Sequence, residues 1–238
     1  PHLKPLNEKH ILPRLRQHGV RYGQDARKSK TEPMMLLEDS RSPRTLHLDG
    51  AYKLSDELLG AGTVPQVAGS RRLCSIKSKG WPLDAWIEQE VQGQPFIQAI
   101  GFNAEEGRRV VRDQSYSAIK WPVGQKTSIY PLMHDWSWGR QACEDYIRSV
   151  TGEVWPKSAC AYCPFAAGKE PVLVRFEQFP EQAAFSLFIE YVSMALNPRM
   201  TLYSTKSLMS VVQSVGDRDA LKIFQKMMDR APWAVYRV

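Results

Sequence analysis

The 238-residue chain has little cysteine, no long apolar run and no internal repeat, and each lack closes off a class of protein. Four cysteines, Cys74, Cys143, Cys160 and Cys163, are too few for a disulfide-stapled scaffold of this length. No apolar run approaches the ~18 residues of a membrane span, and no signal-peptide pattern opens the chain. A cytoplasmic protein with no membrane partner is therefore expected. Without a repeat period or a low-complexity stretch, neither a solenoid nor a disordered tail is indicated. The chain opens on Pro1 instead of Met, and further sequence upstream is expected.

What is present argues for a packed core, since hydrophobic residues make up 43% and aromatic residues 10%. Acidic residues are outnumbered, leaving a net charge of +7. Part of the excess lies where Arg14, Arg16, Arg21, Arg27, Lys28 and Lys30 face only Asp25. Such a patch suits phosphate, in a nucleotide or along DNA or tRNA, and it equally describes the solvated face of a basic protein. Few aromatics interleave with it, so stacking of a single strand is not expected there.

Periodicity and punctuation divide the chain. The segment "NEKHILPRLRQHG" reads as a short helix capped by Asn7 and ended by Gly19, and "VRYGQDA" as a strand. "RKSKTEP" is a polar loop. Turn residues then alternate with one brief helix around Ser55–Leu59. "WPLDAWIEQEV" has helical spacing with Pro82 in its first turn, and "PFIQAIGF" is the best buried-strand candidate, breaking into the charged loop "NAEEGRR". "SIYPLMHDW" is a second apolar segment. "GRQACEDYIRSVTG" places Cys143, Tyr146, Ile147 and Val150 on one helix face and stops at Gly152.

Beyond the last cysteines the texture becomes helical. In "PEQAAFSLFIEYVSMALNP" the residues Phe185, Phe188, Ile189, Val192 and Leu196 have core spacing. "TKSLMSVVQSVG" and "DRDALKIFQKMMDRAP" follow, the latter capped by Asp217, and "WAVYRV" alternates like a strand. The expectation is an α/β domain over 1–166, with a parallel sheet flanked by helices, and a mostly helical extension over 167–238. Ligands of such sheets lie beyond the carboxyl ends of the strands, which directs attention to loops such as "NAEEGRR".

Cys160 and Cys163 form a CxxC in "KSACAYCPFA". A bend of this kind lets two sulfurs face one centre, as zinc and iron–sulfur sites need, and it also fits a redox dithiol. Cys143 lies seventeen residues upstream and Cys74 sits in "RRLCSIKSKG". One Cys₄ site is the economical reading, against scattered packing thiols, and spacing does not separate zinc from [4Fe–4S]. Arg71, Arg72, Lys77 and Lys79 surround the first thiol, Glu105, Glu106, Arg108 and Arg109 follow the strand candidate, and Arg140 opens a helix whose dipole it opposes.

Together "RRLCSIKSK", "IGFNAEEGRR", "YPLMHDWSWGRQACEDYI" and "WPKSACAYCPF", in that order, resemble the phosphoadenosine-phosphosulfate-reductase-like proteins of the adenine-nucleotide α-hydrolase (HUP, ATP-pyrophosphatase) superfamily, in their actinobacterial and phage-type branch. The resemblance covers 70–166 firmly and 1–69 loosely. It implies a HUP-like parallel sheet, here with its N-terminal part truncated, and ATP or a related adenine nucleotide over the carboxyl edge. It also implies a [4Fe–4S] cluster, with zinc as the alternative, held by Cys74, Cys143, Cys160 and Cys163. Gly101, Glu106 and Arg109 match the family's loop after the strand, Lys77 and Lys79 its basic loop after the first cysteine, and Arg140 its arginine before the helix; Arg72 is expected to join Lys77, Lys79 and Arg109 in an anion site that binds the nucleotide. The implied function is nucleotide-dependent activation coupled to sulfur transfer or nucleic-acid modification, a transferase served by a sulfur-donor protein. A non-catalytic module that binds nucleic acid or a partner, with a structural metal, is the alternative. No catalytic residue is assigned. The family's SGGxDS-type phosphate loop is absent, as is any cysteine after Cys163, which argues against a thioredoxin-linked reductase.

Overall fold

The computed structural model describes residues 3–65, 67–68, 71–156, 158–160, 162–165, 170–203 and 206–231. The "WAVYRV" strand expectation falls on 233–238, outside them. In chain order, α1 (Lys4–Leu6), a π-helical turn over Asn7–Ile11 and α2 (Leu12–Gln17) form one helical run. Strands β1 (Tyr22–Ala26) and β2 (Met35–Ser40) pair, and α3 (Leu54–Ala61) follows. β3 (Val67–Ala68) pairs antiparallel with β4 (Arg71–Arg72). Next come α4 (Leu73–Ser75), a second π-helical turn over Ile76–Gly80, and α5 (Trp81–Val91). β5 (Phe96–Ala99), α6 (Gly107–Lys120) and β6 (Lys126–Ile129) make a βαβ unit whose strands are parallel. Then follow α7 (Pro131–His134), α8 (Arg140–Thr151), α9 (Glu170–Gln178), α10 (Pro180–Leu196), α11 (Leu208–Val215) and α12 (Arg218–Asp229). The protein is a mixed α/β fold, and among the described residues no helix is long and apolar enough to cross a membrane.

Two compact units are built from interleaved segments. One comprises 1–24, 38–48 and 83–157, the other 25–37, 49–82 and 158–238.

In the first unit the βαβ element is held by polar contacts as much as by apolar ones. Asp113, on the inner face of α6, accepts from Lys126 Nζ at 3.2 Å, Ser128 Oγ at 2.8 Å and the Tyr130 hydroxyl at 2.8 Å. Val110, Trp121 and Tyr130 are buried around it, and Phe96 meets Trp121 edge to face. The other face of the two strands is open: Ile97 is 70% exposed, so "PFIQAIGF" is a half-exposed strand and not a buried one. Helix α6 covers one side only, which gives alternation instead of the burial on both faces expected of a parallel strand. Asn7 is not a cap either. The helix begins upstream of it, and its side chain donates to Leu3 O at 2.8 Å from within the π-turn.

In the second unit α10 is the central helix. Its Ala183, Ala184 and Leu187 pack with Val64, Phe176, Leu208, Val212 and Phe224, and its Ile189 and Val192 are buried as well. Burying a side chain of Leu or Phe size is worth roughly 1.5–3 kcal/mol, so this cluster dominates the unit's stability. The expected stripe is shifted: Leu187 is buried while Leu196 is 53% exposed, and Glu190 is 2% exposed. That carboxylate accepts from the backbone N–H of Leu202 at 2.8 Å, Leu208 at 2.5 Å and Met209 at 3.4 Å. Two of those N–H groups open α11, so Glu190 caps a helix from the middle of another. Asp217 caps α12 as expected, accepting from Ala220 N at 3.1 Å.

Candidate functional site

The structure gathers the candidate residues at two places, one in each unit. The first is the carboxyl end of β5 and β6. The loop from Ile100 to Glu106 and the turn from Tyr130 to Gly139 meet there, tied by the Ala104 N–H donating to Trp138 O at 2.8 Å. Arg108 and Arg109 are not loop residues, because α6 begins at Gly107. Arg109 pairs with Glu106 and lies 4.2 Å over the Phe102 ring, which stacks on Tyr130. Glu106 therefore orients Arg109, as a positioning carboxylate would. At Gly101 an added Cβ would meet Leu132 at 3.8 Å, ordinary contact, so the backbone does not demand glycine there.

Arg140 is the first residue of α8, and the cation is compensated. Glu105 Oε1 accepts from its backbone N–H at 3.2 Å, placing a carboxylate at the positive end of the helix, and Arg140 Nε donates to Glu144 at 2.7 Å. A Cβ on Gly139 would lie 2.7 Å from that Glu105 oxygen, so a side chain there would push the carboxylate aside. Cys143 sits one turn along α8. Its thiol is pushed up by burial first and then by the charge of Glu105, Glu106 and Glu144, so its surroundings favour S–H over thiolate.

The turn before α8 carries Ser137 at φ +51°, a left-handed conformation that costs a non-glycine residue about 1–2 kcal/mol. The Trp138 N–H donating to Leu132 O at 2.7 Å holds it. The result is a run of rings: Trp136 and Trp138 have centroids 5.0 Å apart, as do Trp138 and Tyr146. Sequence reading passed over this run, although "WSW" followed by a tyrosine on a helix was visible.

The second place is the thiol group of the other unit. Cys160 and Cys163 close a turn, with the Cys163 N–H donating to Cys160 O at 3.2 Å. Cys74 lies in α4 at the start of a helical run and not in a charged loop. Burial pushes the Cys74 thiol up, and the charge of Cys163 adds to it, while the Ser75 backbone N–H opposes. Burial also raises Cys160, although its surface reaches solvent; Cys163 and Cys74 raise it further and Lys79 lowers it. Tyr162, inside the turn, is raised by burial and then by these thiols. The three sulfurs are thus within electrostatic reach of one another. Among the described residues no set of three or more His, Cys, Asp or Glu side chains is drawn together closely enough to hold a metal ion.

Two of the cations around the thiols, Lys77 and Arg72, have protein partners. Lys77 Nζ pairs with Glu57 at 2.5 Å, and Arg72 lies 4.8 Å over the Phe165 ring. Glu57 also takes the guanidinium of Arg27, which is 5% exposed, at 2.5 Å, and Arg27 lies between the Tyr52 and Trp81 rings. The basic patch is largely absorbed in the same way. Arg14 donates to Val150 O and Arg16 to Pro43 O, while Arg21 binds Asp39 and Glu90. Lys28 pairs with Glu32.

Comparison of the chain with protein-family models, with curated proteins and with solved structures found no match. What the fold and the two places define is a mixed α/β protein with a thiol group in one unit and a loop-built carboxyl edge in the other.

Proposed function

We propose that the protein is a thiolate metalloprotein of the phosphoadenosine-phosphosulfate-reductase-like type. On this reading it binds a [4Fe–4S] cluster and an adenine nucleotide, and acts in sulfur transfer or nucleic-acid modification. The observation that carries the reading is the grouping of Cys74, Cys160 and Cys163, two from one tight turn and the third from the first turn of a helix. Their chemistry fits the group. Each of Cys74 and Cys160 is held protonated by burial and by a neighbouring sulfur, and a bound cation would remove that repulsion and draw the thiolates in. These three would hold the cluster. When bound, such a cluster supplies a centre able to deliver sulfur or electrons. Lys79 opposes the upward shift at Cys160 without reversing it. In the other unit Glu106 holds Arg109 against Phe102 at the strand ends, where a phosphate or ribose would lie.

Anaerobic purification with iron, sulfide and zinc analysis tests the proposal. Iron with equivalent sulfide and absorbance near 400 nm supports it. A metal-free protein that stays so after reconstitution contradicts it. The alternative, a binding module with structural zinc, is favoured by one observation: among the described residues the parallel ladder β5–β6 has two strands, fewer than a nucleotide-binding sheet normally offers. Stoichiometric zinc without iron selects it.

A further inference from the structure

The basic patch has intramolecular partners, yet the first unit carries a feature that nothing above employs. Trp136 is 56% exposed and Tyr146 53% exposed, and both rings lean on the half-buried Trp138 with centroid separations of 5.0 Å. The planes are tilted by 40° and 47°, so the outer rings keep their outward faces available. The backbone is bent to make this arrangement: Ser137 between the two tryptophans is left-handed, and the turn is anchored to Leu132 O and to the Ala104 N–H. The turn stands at the carboxyl ends of β5 and β6, the edge where parallel strands present ligands. The other exposed side chains of the turn are polar, His134, Asp135 and Ser137, and Arg140 follows.

We propose that Trp136 and Tyr146 form a stacking platform for two unpaired bases of a single-stranded nucleic acid. The inference rests on the nucleic-acid branch of the function proposed above and names the form of its substrate. Aromatic faces bind any base by its π surface, and an adjacent arginine serves the connecting phosphate or a base face. Two exposed rings separated by a third fit successive bases of a strand better than the one base of a free nucleotide. A platform flanked by polar side chains, with no exposed aliphatic residue in the turn, also fits a base edge better than the apolar centre of a protein interface. A duplex keeps its bases stacked inside and offers the rings nothing.

The test uses the full chain and a labelled oligothymidylate of about twelve nucleotides, long enough to span an ordinary single-strand site. Fluorescence anisotropy gives the affinity, with a duplex of equal length and thymidine monophosphate as competitors. Stacking worth a few kcal/mol per base predicts that Trp136→Ala and Tyr146→Ala each weaken oligonucleotide binding by about tenfold or more. Trp136→Phe should retain most of the affinity. Circular dichroism should be unchanged in all three, because both side chains are largely outside the core. The same samples are assayed for metal, and their metal content should equal that of the parent whether or not the cluster assignment holds. Undiminished binding by the two alanine variants overturns the proposal, as does a parent that binds no oligonucleotide. Competition by the mononucleotide at equal concentration would point to a single-base site, and equal competition by the duplex to phosphate contact alone; either result also overturns it.

Discussion

Replacing Glu190 by alanine perturbs the second unit at one atom group whose partners are all known. The carboxylate is 2% exposed and accepts from three backbone N–H groups at 2.8, 2.5 and 3.4 Å. Leu202 and Leu208 are themselves buried, so their N–H groups would lose an acceptor inside the core. A buried donor left without a partner costs about 1–3 kcal/mol. Two firm bonds and one long one, with the loss of a negative group at the start of α11, give a destabilisation of about 3–5 kcal/mol. Glu190→Gln keeps the shape and one acceptor oxygen and should cost about 1–2 kcal/mol. Urea unfolding followed by far-UV circular dichroism reads the difference, since α9 to α12 supply much of the helical signal of this unit.

The same carboxyl gives a pH signature. Burial raises its pKa above the ordinary 4.5, against the three N–H bonds that lower it, so the folded state holds this proton more tightly than the unfolded chain. Its contribution to stability is complete below 4.5 and is lost as pH rises through the folded value. Glu190→Gln removes that component of the slope. A Glu190→Ala cost below about 1 kcal/mol would refute the capping argument, because it would mean the N–H groups find other partners.

Two further perturbations follow from the same reasoning. Glu57→Ala leaves the Arg27 guanidinium buried without its anion and should destabilise by about 3–5 kcal/mol in urea unfolding. Burial raises the Glu57 pKa, but the bonds from Lys77 and Arg27 outweigh it and the net shift is downward. This group's stabilisation is therefore present above 4.5 and is lost as pH falls through the folded value, the opposite sign to Glu190. Asp113→Ala removes the acceptor of Lys126, Ser128 and Tyr130 at once, and should loosen β6 from α6, measured as faster amide exchange at Thr127 and Ser128.

The elements legible in the sequence were those whose signals are local. Gly152 at φ +72° ends α8 where the glycine stands, and the Asp217 cap and the helical spacing of α10 and α12 are read within a few residues. Helix α6 was not legible, because Val110 is its one buried residue and the face toward the sheet is carried by Asp113, a polar side chain with three partners. Glu190 was hidden for a related reason. A carboxylate in an apolar helix reads as a surface residue, and its partners are backbone groups twelve to nineteen residues on, which leave no side-chain pattern. The partners of the basic patch were not legible where they are remote: Arg21 meets Glu90 and Arg14 meets Val150. At the candidate site, the turn of Cys160 and Cys163 and the pairing of Glu106 with Arg109 were readable from spacing. The helical setting of Cys74 and the acidic surroundings of Cys143 depend on the fold.

The central claim is that the thiols of the second unit bind a metal cluster together, and metal content in single cysteine variants tests it most directly. Anaerobically purified parent protein should carry about four iron and four sulfide per chain. Cys74→Ser, Cys160→Ser and Cys163→Ser should each lose most of the iron and the absorbance near 400 nm, with far-UV circular dichroism retained. A parent without metal, or a Cys74→Ser variant loaded to the parent's level, would contradict the account.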